Sequence, residues 1–191
     1  MRAQDPLLAG VEALARHESR FSAAIGKEIF DWTGKLFAGE TAAQARLRLA
    51  ACMLCDVGWR THPDYRATQS YRRVLRAPLL ALGHADRAFL AVTMLRRYSH
   101  KAGPDAVDEA HHLLSDEDIA RAERIGAAMR LAQTLTGGSP GLLQGFTLEL
   151  KDRRLVLSGA EVQTDVLGES VMSRLKRLAN LFDADEEVVG L

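Results

Sequence analysis

A chain of 191 residues is long enough to bury a substantial hydrophobic core within one domain. Its apolar fraction of 47% and charged fraction of 26% are those of an ordinary globular protein. No apolar run is long enough to span a membrane and the N-terminus lacks a secretory pattern, so the sequence predicts a cytoplasmic protein with no membrane partner.

Charge is unevenly distributed along the chain, although the formal net charge is zero. Residues 1–58 are balanced, residues 59–101 carry +7, and residues 102–191 carry −7. The basic residues of the middle segment are Arg60, Arg66, Arg72, Arg73, Arg76, Arg87, Arg96, Arg97 and Lys101. Segregated charge of this kind can create an anion-attracting surface on a neutral protein.

Apolar residues recur with a helical period over most of the first two thirds of the chain. Asp5 and Pro6 are typical of the cap and first position of a helix, and Ser115 with Asp118 resembles a capping box. The predicted helices cover residues 5–16, 20–38, 42–56, 64–76, 85–99, a short piece near 105–112, and 116–135. The third is apolar nearly all round from Leu47 onward, so we expect it to be buried.

The pattern changes after residue 135. TGGSPG breaks the helix, and GFTLEL and RLVLSG alternate with a period of two around KDR, which predicts a β-hairpin. Residues 166–182 return to a helical period, and an acidic tail ends the chain. The predicted fold is therefore mainly α, with a helical bundle over 1–140 and a hairpin plus C-terminal helix over 141–191, packed together as one compact domain.

Asp56 closes the buried third helix just before a Gly-Trp turn. This corner resembles that of the HD-type phosphohydrolases, in which a His-Asp pair and further histidines hold divalent metals that activate water or clamp a phosphate. Of the histidines at positions 17, 62, 84, 100, 111 and 112, only His62 is close to Asp56 in the sequence. Asp56 is therefore either a metal ligand or a carboxylate satisfied by turn amides or by an arginine such as Arg60, and the shortage of histidines favours the second interpretation.

Three other motifs favour structural roles. Cys52 and Cys55 have a C-x-x-C spacing but lie mid-helix in an apolar run, where core packing is the expected role. His111 and His112 are adjacent, so on a helix they point about 100° apart and chelate poorly. TGGSPG lacks the Lys-Ser/Thr pair of a phosphate loop.

The arginines are the strongest functional signal in the sequence. Arg66, Arg73 and Arg76 share one helical face with Arg72 beside it, and Arg96, Arg97 and Lys101 end another helix. Guanidinium groups favour planar, bidentate contacts with phosphate oxygens. The alternative is a solvated face whose charges pair with the acidic last third, within one chain or across a dimer.

Three stretches occur in the order found in a known family: AACMLCDVGWRTHPDYRATQSY (50–71), AFLAVTMLRRYSHK (88–101) and AAMRLAQTL (127–135). With the hairpin and last helix, they resemble the C-terminal helical region of the exopolyphosphatase / guanosine-pentaphosphate phosphatase family. That region follows the family's two actin-like ATPase-type domains. The resemblance covers most of the chain and implies an HD-like helical bundle that helps to bind long polyphosphate and contributes to dimerisation.

The sequence departs from this family at the metal-ligand positions. Cys55 stands where the family has a histidine, residues 68–71 read Thr-Gln-Ser-Tyr in place of His-Ser-Ala-Tyr, Ser99 occupies another histidine position, and Gln133 replaces an aspartate. Only Asp56 remains, and one carboxylate cannot supply the three or four ligands of a catalytic metal. We therefore expect no metal, no other cofactor and no catalytic residue in this chain.

The sequence thus predicts a degenerate, metal-free HD-like accessory domain of an exopolyphosphatase. We expect a homodimer that binds inorganic polyphosphate or another polyanion, next to actin-like phosphatase domains of the same protein or of a partner. The candidate polyanion-binding residues are Arg66, Arg72, Arg73, Arg96, Arg97, Lys101 and Arg130, and the degenerate HD-type site comprises Cys55, Asp56, Ser99 and Gln133.

The sequence also fits two other functions, and it bears on whether the chain is a fragment of a longer protein. The chain could instead be an active HD-type metal phosphohydrolase that uses Asp56, His62 and another histidine, or a purely structural dimerisation module. The glycine-rich phosphate loops and acidic catalytic residues of the family's hydrolytic domains do not occur in this sequence. The opening MRAQDPLLAG favours a fragment that begins after such domains over a stand-alone relative.

Overall fold

The computed structural model describes residues 5–19, 22–101, 110, 112–159 and 167–190. Within these ranges, the mainly α fold class is confirmed, and no helix is long and apolar enough to cross a membrane. The α-helices are α1 (Pro6–Glu18), α2 (Ser22–Trp32), α3 (Ala42–Met53), α4 (Pro63–Arg76), α5 (His84–Tyr98), α6 (Asp116–Thr136) and α7 (Glu169–Leu181). The helix predicted near 105–112 lies, apart from residues 110 and 112, outside the described residues.

The helix starts follow local signals in the sequence. Asp5 caps α1, since its carboxylate accepts hydrogen bonds from the amides of Leu7 (2.9 Å) and Leu8 (3.4 Å). Arg46 of α3 donates to the same carboxylate at 2.6 and 2.8 Å and lowers the pKa of Asp5 to about 2. The cap therefore also ties α1 to α3. The capping box predicted at the start of α6 is present as well.

Two helices end earlier than predicted. The predicted helix 20–38 is interrupted at Thr33, whose hydroxyl donates to the carbonyl of Ile29 (2.7 Å), and a 3₁₀ turn follows over Gly34–Phe37. α3 ends at Met53, so that residues 54–60 form turns instead of the last helical turn. As a result, Asp56 is a turn residue and does not belong to the helix.

The predicted hairpin is present, as β1 (Phe146–Lys151) and β2 (Arg154–Gly159) in antiparallel pairing. The prediction of an acidic tail was wrong. Residues Asp185–Val189 form β3, which pairs in parallel with β2 after the crossover helix α7. The acidic side chains made this strand hard to predict from the sequence, because an edge strand tolerates charge on its solvated side. Glu187 pairs there with Arg154 at 3.3 Å.

Helix α5 is the central element of the hydrophobic core, because every residue from Ala88 to Leu95 is buried. It packs against α4 on one side and α6 on the other. Gly126 of α6 makes the second contact possible, since a Cβ atom there would lie 2.8 Å from the Cβ of Arg96 and from the amide nitrogen of Arg97. This close approach brings the basic end of α5 beside the polar face of α6.

Candidate functional site

The turn after α3 forms the base of a cavity of about 680 Å³. Its walls come from the end of α1, the start of α4, the end of α5, the second half of α6 and helix α7. Four arginines, each from a different helix, line it together with Asp56: Arg66, Arg97, Arg130 and Arg174. We call this cavity the arginine pocket.

The turn has its shape because of Gly58 and Ser70. Gly58 has a φ of +84°, which favours glycine, and a Cβ atom there would lie 2.3 Å from the Ser70 hydroxyl oxygen. That oxygen lies within hydrogen-bond distance of the carbonyls of Val57 (2.9 Å) and Arg66 (2.6 Å). Ser70 therefore ties the turn to α4, one helical turn after the pocket residue Arg66.

Asp56 is held by two neutral donors. The hydroxyl of Ser22 donates to its Oδ2 at 2.8 Å, and the side-chain amide of Gln133 donates to its Oδ1 at 3.2 Å. The same amide lies 3.3 Å from the sulfur of Cys55. Each carboxylate oxygen thus has a hydrogen-bond partner within the protein.

The donor set around Asp56 does not fit a divalent metal. Among the described residues, no three His, Cys, Asp or Glu side chains come together as a metal site requires. Cys55 is fully buried, and burial, followed by the charge of Asp56, raises the pKa of its thiol, which disfavours the thiolate that a metal ligand requires. His62 is exposed as the cap of α4 and does not line the pocket, nor does Ser99 at the end of α5.

The four pocket arginines have no salt bridge to any carboxylate of the described chain within 4.0 Å. The guanidinium carbon of Arg97 lies 4.5 Å from the centre of the Tyr98 ring, and that of Arg66 lies 5.7 Å from it. The Nε of Arg97 is buried without a hydrogen-bond partner within the described ranges. Arginines that line a cavity and have no carboxylate partner attract an anion more strongly than fully solvated arginines do.

Burial and the mutual repulsion of the pocket arginines lower the pKa of two of them. Burial lowers the pKa of Arg130, and the neighbouring Arg174 and Arg97 lower it further. Burial, followed by Arg97, likewise lowers the pKa of Arg174. The pKa of Tyr98 is raised to about 12, chiefly by burial, so its hydroxyl stays protonated and donates to the carbonyl of Cys55 at 3.2 Å.

Of the predicted polyanion-binding residues, Arg66, Arg97 and Arg130 come together in the arginine pocket. The others do not line it. Arg73 pairs with the buried Glu18, Arg96 pairs with Glu123 at 3.0 Å, and Arg72 and Lys101 are exposed elsewhere.

Arg174 was not among the predicted site residues. It lies in the SRLKRL segment of α7, whose basic residues are visible in the sequence. Its convergence with the arginines of α4, α5 and α6 depends on how α7 packs against α6 and the sheet, and no local pattern encodes that packing. Arg60 also differs from expectation, since it lies 5.3 Å from the Trp59 ring and does not line the pocket with Asp56.

Comparison with known protein families identifies the family of this chain. The family described as "Exopolyphosphatase, C-terminal" matches residues 7–189, nearly the whole chain. The resemblance inferred from the three sequence stretches is therefore confirmed. A search of curated proteins finds no match.

Proposed function

The chain belongs to the exopolyphosphatase C-terminal family, and we propose on that premise that it is an accessory domain whose arginine pocket holds inorganic polyphosphate. Hydrolysis would take place on actin-like phosphatase domains of the same protein or of a partner, in the cytoplasm. One observation carries the proposal: four helices direct arginines into one cavity where, among the described residues, no carboxylate pairs with them.

The charge of the cavity favours a phosphate chain. Four guanidinium groups against the single carboxylate of Asp56 give its lining a formal charge of +3. Polyphosphate carries about one negative charge per phosphate, and each arginine can bind its oxygens in a bidentate manner. Binding would also relieve the repulsion between Arg130, Arg174 and Arg97. Asp56 subtracts one unit of charge from the lining, and its oxygens are held by Ser22 and Gln133.

We expect Arg97→Gln to lower the affinity for polyphosphate roughly tenfold, because it removes a charged donor from a partly buried site. The matched control is Arg72→Gln, which removes the same charge from an exposed position outside the pocket and should change the affinity less than about twofold. Trp59 lines the pocket, so its fluorescence or isothermal titration calorimetry measures binding. Raising the salt concentration should weaken it.

Two results would overturn the proposal. The first is that polyphosphate does not bind even at low salt. The second is that Arg97→Gln and Arg72→Gln weaken binding equally, which would indicate attraction by the whole surface and not by the pocket. The first result would make the structural dimerisation module the better description of this chain.

The alternative of a metal-dependent phosphohydrolase has its own test. Metal analysis of the purified protein, together with a phosphatase assay, discriminates between the two functions. Stoichiometric Mn, Fe or Zn that is lost with activity in Asp56→Ala would favour the enzyme. Asp56→Ala with unchanged metal content and polyphosphate affinity would favour the binding domain.

A further inference from the structure

Tyr98, the last residue of α5, contacts two of the four pocket arginines with one aromatic ring. The centre of that ring lies 4.5 Å from the guanidinium carbon of Arg97 and 5.7 Å from that of Arg66. Cation–π contacts extend to about 6 Å from the ring centre, so both arginines are within reach. Because Arg66 belongs to α4 and Arg97 to α5, one side chain joins the cations of two helices.

The hydroxyl group of Tyr98 holds the ring in place. It donates to the carbonyl of Cys55 at 3.2 Å, and Cys55 is fully buried in the turn after α3. Burial, above all, raises the pKa of Tyr98 to about 12, so the hydroxyl stays protonated and remains a donor at physiological pH. The ring is therefore tied to the turn that forms the base of the arginine pocket.

An aromatic ring can hold an arginine without reducing the capacity of that arginine to bind an anion. A carboxylate would neutralise the charge, and a hydrogen-bond acceptor would occupy N–H donors. A ring face leaves the charge in place and the N–H groups free at the edge of the guanidinium plane. Arg66 gives up one N–H group, since its Nε donates to the carbonyl of Thr61 at 3.0 Å. Its two terminal amino groups are left for a ligand.

The pocket arginines need such a contact in the absence of a ligand. Burial, and after it the charge of Arg97, lowers the pKa of Arg174, so these two cations repel each other. Among the described residues, no carboxylate pairs with Arg97 to oppose this repulsion, and its Nε has no hydrogen-bond partner. A long side chain without a fixed position also loses rotamer freedom when it binds, and this loss weakens binding.

We propose that Tyr98 is a positioning residue, whose ring keeps Arg66 and Arg97 directed into the arginine pocket before a ligand arrives. The ring would then reduce the conformational entropy that the two arginines lose when a phosphate chain binds. This inference rests on the proposed function, because it concerns the same pocket and the same ligand. It adds a residue that carries no charge to the determinants of affinity.

The first experiment changes the electron distribution of the ring while it keeps the shape. Tyr98→Phe is the reference, and it is compared with variants that carry mono-, di- or trifluorinated phenylalanine at position 98. Fluorine withdraws electrons from the ring face and so weakens a cation–π contact. We expect the affinity for polyphosphate to fall stepwise with each fluorine, by roughly fivefold in total. Thermal unfolding of the same series, in which the hydroxyl is absent throughout, measures whether stability stays constant.

The second experiment is a double-mutant cycle. Tyr98→Leu should lower the affinity of the wild type roughly tenfold, but that of Arg97→Gln only about threefold, because one of the two positioned cations is then already absent. The matched control background is Arg174→Gln. Arg174 lines the same pocket but makes no ring contact with a described residue, so Tyr98→Leu should keep its full effect there.

The outcomes separate the two proposals. If polyphosphate binds and depends on Arg97, but the fluorinated series shows constant affinity, the ring acts by packing alone and the positioning role is wrong. An equal effect of Tyr98→Leu in the wild type and in Arg97→Gln overturns that role as well. In both cases the proposed function stands. If the wild type does not bind polyphosphate even at low salt, both proposals fail together.

Discussion

Arg130 is expected to favour polyphosphate binding while it lowers the free energy of unfolding. Its guanidinium group is half-buried, lines the arginine pocket and lies among other arginines, without a carboxylate partner in the described chain. Its lowered pKa means that folding disfavours its charged form. A neutral side chain in its place removes that penalty at any pH at which arginine is charged.

We therefore expect Arg130→Gln to raise the free energy of unfolding while it weakens polyphosphate binding. Denaturant unfolding of the unliganded protein and a parallel titration measure the two effects. The control is Arg121→Gln, which breaks a contact with Glu40 at 2.9 Å and should lower stability. A loss of stability in Arg130→Gln comparable to that in Arg121→Gln would contradict this account.

At the scale of elements, the contact between α5 and α6 positions the site. Gly126 allows the two helices to approach closely. That approach brings Arg97 of α5 and Arg130 of α6 into the same pocket. α7 brings the fourth arginine, and it packs mainly against α6, with further contacts to β2 and β3. The pocket is thus assembled by helix packing and not by a contiguous motif.

Gly126→Ala should destabilise the protein by about 1–3 kcal/mol, because the new methyl group meets the backbone of α5. The same displacement should weaken polyphosphate binding, since it moves Arg97. Gly34→Ala is the matched control, as a Cβ atom there has no neighbour within 4 Å. Thermal unfolding and titration measure both variants, and equal stability of the two would show that the α5–α6 contact can relax.

The elements themselves were largely predictable, because helical periodicity and the alternating hairpin are local properties of the sequence. The strand β3 was not, since acidic residues at an edge resemble a solvated tail. The membership of the arginine pocket was only partly predictable. Arg66 and Arg97 were expected from the basic middle segment, whereas Arg174 becomes a pocket residue only through tertiary packing. The boundary predicted at residues 140 and 141 stays a prediction.

At the scale of the whole molecule, the uneven charge is not neutralised internally within the described ranges. There, one ion pair joins the basic middle segment to the acidic last third, between Arg96 and Glu123. The remaining basic surface is available to a polyanion or to the acidic end of a second copy. Dimerisation, expected from the family resemblance, therefore stays a prediction that depends on charge.

If copies associate through these oppositely charged segments, the dimer should dissociate as salt rises, because exposed charges are screened beyond about 10 Å at 0.1 M. Sedimentation at low and high salt measures this. Long polyphosphate should compete with such a dimer for the same arginines. A monomer at every salt concentration would contradict dimerisation, and a dimer insensitive to salt would contradict association by charge.

The hydrogen bonds around Asp56 bear on whether the missing metal site could return. Gln133→Asp would place a second carboxylate against Asp56, where like charges repel until a metal arrives. Cys55→His would force a larger, polar ring into a fully buried position. Each of these two steps, taken alone, is destabilising before a bound ion could compensate. The present hydrogen bonds therefore oppose a stepwise return of the metal ligands, so that restoring a metal site here would require several simultaneous changes.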